Sequence, residues 1–102
     1  MKIRDCVRAA SEAFNVPVPD LIRPCRVETV AFARQAAMLL ARWEGYSAER
    51  IGRAMGGRDK TTIYHGERAA TKRADADEEY GDMLQVAYNA LTGLRDGVGT
   101  GR

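Results

Sequence analysis

The stretch GGRDKTTIYH, residues 56–65, gathers two glycines, a guanidinium, a carboxylate, an ammonium, two threonine hydroxyls and the chain's single imidazole. Such a set suits either of two tasks. A glycine-rich backbone with lysine and threonine can wrap a nucleotide phosphate. A glycine turn followed by polar residues can instead open a helix that lies in the major groove of DNA. The phosphate loop requires GxxxxGK followed by Ser or Thr, with glycine directly before the lysine. Were Lys60 that lysine, glycine should stand at positions 54 and 59, but the chain has Ala54 and Asp59. The carboxylate of Asp59 would repel the anion, and no strand signal precedes the segment. No nucleotide and no cofactor is therefore expected.

The groove reading gains from the same residues. A short helix over 48–55, a break at Gly56-Gly57 and a second helix opening at Asp59 have the lengths of a helix-turn-helix. In that motif the first residues of the second helix face base edges. Asp59, Lys60, Thr61 and Thr62 fall there, and His65 lies one turn beyond Thr61 on the same face. Aspartate can accept from cytosine N4, threonine methyls can pack on the thymine methyl, and lysine can donate to guanine or to a phosphate. Singly each has an ordinary explanation, as a cap, a first-turn residue or a solvated histidine. Clustered behind a glycine turn in a basic segment, they favour nucleic acid.

Positioning them requires helices, and helices are all that the periodicity offers. Ile3, Cys6, Val7, Ala10 and Phe14 form one apolar stripe, so residues 2–15 make a first helix. The prolines of NVPVPD interrupt it, and Asp20 can cap a short turn with Leu21 and Ile22. Thr29 is a fitting N-cap for a helix over 30–44, VAFARQAAMLLARWE, apolar around most of its circumference and hence central. Gly45 ends it and Ser47 caps the helix 48–55, which buries Ala48, Ile51 and Met55. Asp59 caps a helix to about Arg73 with Ile63, Ala69 and Ala70 inward. A last helix, about 75–93, should bury Met83, Val86, Ala87, Ala90 and Leu91, with acidic residues at its positive N-terminal end. Residues 1–94 thus form one all-α domain of five to six helices, and 95–102 a flexible tail.

Composition narrows the classes further. With 102 residues and 45% hydrophobic content the chain suits a single globular domain, and no apolar run reaches the ~20 residues that span a bilayer. No secretory h-region follows the first methionine, so a cytoplasmic location and no membrane partner are expected. Cys6, Cys25 and His65 lack metal-ligand spacing. No nucleophile–base pair stands out, so catalysis is remote. Residues 49–73 carry a net charge of +4 and residues 74–102 a net −4, which suggests one polyanion-facing side.

At these residues the chain resembles a known family, the C-terminal DNA-binding domain of the bacterial replication initiator DnaA. The likeness is carried by Arg34-Gln35 in an alanine- and leucine-rich helix, Ile51-Gly52, Met55, Gly56 through Asp59, Thr61-Thr62 and His65, with AFNVPVPDLI upstream. It implies a helix-turn-helix seated in the major groove of a short, usually AT-rich box on double-stranded DNA. It implies base contacts from Asp59, Thr61, Thr62 and His65, backbone contacts from Arg34, Gln35 and Arg58, and a minor-groove arginine at Arg26. Two departures stand out. Lys60 replaces the usual histidine, and the loop RPCRVET carries Cys25 and Glu28 where the family tends to be arginine-rich, with Phe32 in place of a further basic residue. Fewer phosphate contacts mean weaker, less salt-dependent binding. A chain of this length leaves no room for the initiator's ATPase domain, so a regulatory DNA binder without enzymatic activity is expected. The alternative is a protein-interaction adaptor that keeps the fold and has lost most DNA binding.

Overall fold

A computed structural model describes the backbone of residues 2–100 and the side chains of 2–93. Its elements are α1 (Ile3–Phe14), α2 (Val18–Ile22), α3 (Glu28–Trp43), α4 (Ala48–Ala54), α5 (Lys60–Ala76) and α6 (Glu78–Thr100), with no strand among the described residues. The fold is all-α, as expected. Helix α3 is the axle. Alanines and leucines fill most of its circumference, and Ala33, Ala36, Ala37, Met38, Leu39, Leu40 and Ala41 are all buried. Helices α1 and α5 take the largest contacts with it, α2 and α4 close its ends, and α6 lies across α1 and α5.

Loop chemistry sets the joints. Gly45 (φ +94°) follows α3, and the Ser47 hydroxyl accepts from the Arg50 amide at 3.2 Å to start α4. Gly56 (φ +84°) and Gly57 (φ +74°) occupy the left-handed region between α4 and α5, where a side chain is strained. Ala48, Ile51, Met55, Ile63 and Ala70 are fully buried, as their spacing implies.

Several details differ from the sequence reading. Helix α3 begins at Glu28 behind Val27, so Thr29 lies inside its first turn and caps nothing. Asp59 holds the N-cap position of α5, but its side chain accepts no capping hydrogen bond. Helix α5 runs on to Ala76, and the break falls at Asp77, whose carboxylate oxygen Oδ1 accepts from the Glu79 amide (3.0 Å) and the Tyr80 amide (3.3 Å). The inward face of α6 is Tyr80, Leu84, Ala87 and Leu91, while Val86 and Ala90 are exposed. Tyr80 sets that phase: its hydroxyl donates to the Phe32 carbonyl at 2.8 Å, and its ring centre lies 5.3 Å from that of Phe14 with the planes tilted by 53°. The backbone of α6 continues past the expected domain end at residue 94, and the last two residues of the expected tail lie outside the described residues.

Candidate nucleic-acid interface

Helices α4 and α5 with the turn between them have helix-turn-helix form, and three close approaches hold α5 in place. Gly52 lets the Arg58 carbonyl lie where a Cβ would stand, and the Arg58 amide donates to the Gly52 carbonyl at 2.8 Å. Gly66 admits the Met38 sulfur against α5, so α5 nests on α3. Across the same interface, Arg42 Nε donates to Glu67 Oε1 at 3.0 Å, and the Arg42 guanidinium sits 5.5 Å from the Tyr64 ring centre.

With Ile63, Gly66 and Ala70 turned inward, the other faces of α5 meet solvent. Asp59, Lys60, Thr61, Thr62 and His65 are all exposed, and none is covered by α6. The amide end of α5, its positive dipole end, lies beside them. Lys60 has a neighbour that the sequence reading overlooked: its Nζ stands 3.9 Å from a Glu49 carboxylate oxygen on α4. An open groove of about 350 Å³ continues from this cluster, lined by Arg34, Gln35, Arg58, Thr62, His65 and Gly66.

The groove's cations differ from expectation. Arg34 is 9% exposed. Its Nε donates to the Leu21 carbonyl at 3.1 Å, its Nη2 to those of Asp20 and Arg23 at 3.1 Å each, and its Nη1 to that of Cys25 at 3.5 Å. Arg58, half-buried, donates through Nη1 to the Ile22 carbonyl at 2.7 Å and to the Met55 carbonyl, and through Nη2 to that of Arg23 at 3.3 Å. Burial, then the neighbouring Arg34 charge, pushes the Arg58 guanidinium below its ordinary pKa. Most donors of both side chains are thus committed inside the protein. Gln35 accepts from Arg73 Nη1 at 2.9 Å through its amide oxygen. Arg73 also lies 3.5 Å over the Phe32 ring, so the phenylalanine in place of a basic residue serves packing. Arg26, in contrast, is exposed on the loop before α3.

Residues 3–69 match the sequence profile of the family described as "Bacterial dnaA protein helix-turn-helix". The chain belongs to that family. Similar proteins include the chromosomal replication initiator protein DnaA of Cereibacter sphaeroides, 40% identical over 90 residues that make 87% of this chain and 20% of that protein. Those of Acinetobacter baumannii (37% over 91 residues, 84% of this chain) and Roseobacter denitrificans (32% over 90 residues, 87% of this chain) are likewise covered over 20% of their length. The chain therefore spans about a fifth of the relatives it matches. As a member of the DnaA helix-turn-helix family it is a DNA-binding fold at the general level. Among the described residues no helix is long and apolar enough to cross a membrane.

The residues that sequence reasoning missed share a cause. Glu49, Gly66 and Tyr80 matter through partners on another helix, and one-dimensional spacing does not pair helices. The readable signal was weak: a carboxylate two residues past the Ser47 cap, and a glycine inside a helical pattern.

Proposed function

We propose that this domain binds double-stranded DNA sequence-specifically at DnaA-box-like sites. Helix α5 enters the major groove, and Arg26 reaches the adjacent minor groove. Asp59, Lys60, Thr61, Thr62 and His65 meet base edges and nearby phosphates, Gln35 contributes from the groove wall, and no bound nucleotide or catalysis is involved. The relatives named as replication initiators support a role in regulating initiation, or transcription from similar sites. The observation that carries the reading is the exposure of those five side chains together at the opening of α5, behind the Gly56-Gly57 turn. Arginine in a narrow A·T-rich minor groove is favoured by its more negative potential, which suits the free Arg26.

The test is a mobility-shift titration on box-containing and scrambled duplexes over a range of salt. Specific binding should favour the box by at least the ~10³-fold lower bound typical of specific recognition. Equal affinity for both duplexes would refute it.

A second reading, the protein-interaction adaptor, draws on one observation. Arg34 and Arg58 spend their donors on backbone carbonyls, so fewer cations remain for phosphates. An adaptor would show neither salt-dependent duplex binding nor sensitivity to Thr61→Ala.

A further inference from the structure

Arg34 and Arg58 converge on one short segment. Helix α2 has only five residues, so its last carbonyls have no partners within the helix. The segment that follows contains Pro24, which has no amide hydrogen to help close a turn. The carbonyls of Asp20, Leu21, Ile22, Arg23 and Cys25 all receive guanidinium N–H groups, four through Arg34 and the Ile22 and Arg23 carbonyls through Arg58. Leu21 is fully buried, so its carbonyl would otherwise be left without water. Two cations at the end of α2 also answer its dipole.

The glycine turn backs onto the same place. A Cβ on Gly56 would stand 2.4 Å from the Ile22 carbonyl oxygen. Arg58 also donates to the Met55 carbonyl at the end of α4. The turn of the helix-turn-helix, the end of α2 and the N-terminal half of α3 are thus tied through two side chains. The next residue along the tied segment is Arg26.

We propose that Arg34 and Arg58 serve DNA binding as positioning residues: they lock segment 20–25 onto the glycine turn and fix where Arg26 stands relative to α5. This role rests on the DNA-binding reading above. It assigns to Arg34 a task other than phosphate contact, and it predicts that charge alone cannot replace it. A lysine keeps the charge but presents one ammonium where a planar guanidinium serves four carbonyls.

The experiment compares wild type, Arg26→Ala, Arg34→Lys, Arg58→Lys and Arg26→Ala/Arg34→Lys by duplex titration over a salt series. Arg26→Ala should weaken box binding about 10- to 100-fold and lower the log–log salt slope by about 1. Arg34→Lys should produce a comparable loss and the same drop in slope, although no charge has been removed. The double variant should bind no more weakly than Arg26→Ala. Arg58→Lys should behave like Arg34→Lys. In the free wild type, the Arg26 amide should show an order parameter near the ~0.85 of rigid backbone.

Near-wild-type binding and slope in both lysine variants would overturn the proposal, as would losses that multiply in the double variant. If Arg34→Lys does not fold, as its melt would show, the less buried Arg58→Lys carries the comparison. The wild-type order parameter needs no variant at all, and a value below about 0.6 would refute the lock. A failed lock would leave box preference intact with Arg26 mobile. A wild type with no box preference would sink the DNA reading itself, and this role with it.

Discussion

Replacing Gly52 by alanine sets two effects against each other. Glycine inside a helix costs up to about 1 kcal/mol relative to alanine, so propensity alone predicts that Gly52→Ala strengthens α4. The packing predicts the reverse. The added methyl would lie 2.0 Å from the Arg58 carbonyl oxygen and 3.1 Å from its carbon, well inside the 3.4 Å at which ordinary contact begins. Those are backbone atoms of the turn itself, so relief requires moving the entry to α5 by more than an ångström. Overpacking of this kind costs about 1–3 kcal/mol, and loss of the Arg58 amide to Gly52 carbonyl bond adds about 0.5–1.5 kcal/mol. Set against the propensity gain, the net is a destabilisation of about 1–3 kcal/mol. For a domain of this size that lowers Tm by roughly 5–20 °C. Thermal unfolding followed by circular dichroism measures it directly. Gly93→Ala serves as the control, because a Cβ there meets nothing within 4 Å, and it should be neutral or slightly stabilising. A Tm for Gly52→Ala at or above wild type would refute the claim that the missing side chain holds the turn.

Other substitutions test the interface and the core. Thr61→Ala and Thr62→Ala should each cost about 1–3 kcal/mol in box binding while leaving folding stability within the about ±0.5 kcal/mol usual for surface changes, as titration and melting will show. Glu49→Gln removes the carboxylate 3.9 Å from Lys60 Nζ; exposed pairs are worth about 0.2–1 kcal/mol, so duplex affinity should rise a few-fold with a steeper salt slope. Burial pushes the Tyr80 hydroxyl up to about 12 from 10, against the opposing effect of Arg73. The folded state thus favours the neutral phenol. That stabilisation is complete below pH 10 and lost as pH rises from 10 to 12, and alkaline unfolding of Tyr80→Phe should lack this component. Burial, then the charges of Glu44 and Asp5, raises the Cys6 thiol to about 12. A thiol reagent at pH 8 should therefore label native protein at the partly exposed Cys25 and reach Cys6 only after denaturation.

Much of this was legible in the sequence because it is local. Gly45, Ser47 and Gly56-Gly57 act through their own backbone or the next turn, and they mark the ends of α3 and α4 and the opening of α5 within a residue or two. The exposure of Asp59 through Thr62 and His65 followed from the period of a helix whose Ile63 and Ala70 face inward. What escaped is non-local. The end of α5 carries no glycine or proline, so in the sequence Asp77 stands as one acidic residue among several, although its carboxylate starts α6. The inward face of α6 departs from its apolar spacing because Tyr80, a residue with a polar tip, outweighs Val86 once its hydroxyl finds the Phe32 carbonyl. Arg34 looks in a linear chain like any helix-borne cation. Only the folded path of segment 20–25 brings four carbonyls to it.

That last point changes what the charge count means. Residues 49–73 carry a net +4 on paper, yet Arg58 turns to the end of α2 and Arg73 lies over Phe32 beside Gln35. Arg50, Arg53, Lys60, Arg68 and Lys72 remain exposed. An inward guanidinium still adds to the field over the groove, and so to the attraction of a polyanion at a distance. It cannot displace a condensed counterion from a phosphate that it does not approach, and the salt slope counts only such displacements. The inward arginines therefore add to the long-range field alone, whereas the exposed cations add both to that field and to the counterion-release slope. The depleted loop before α3 sharpens the division: of its two exposed cations, Arg23 pairs with Asp20 at 2.6 Å, Arg26 is the other, and the Arg23 and Cys25 carbonyls beside it accept from Arg34. Under the proposed function, a loop with few charges serves by being stiff: the ordering entropy of Arg26's backbone is already met in the free protein.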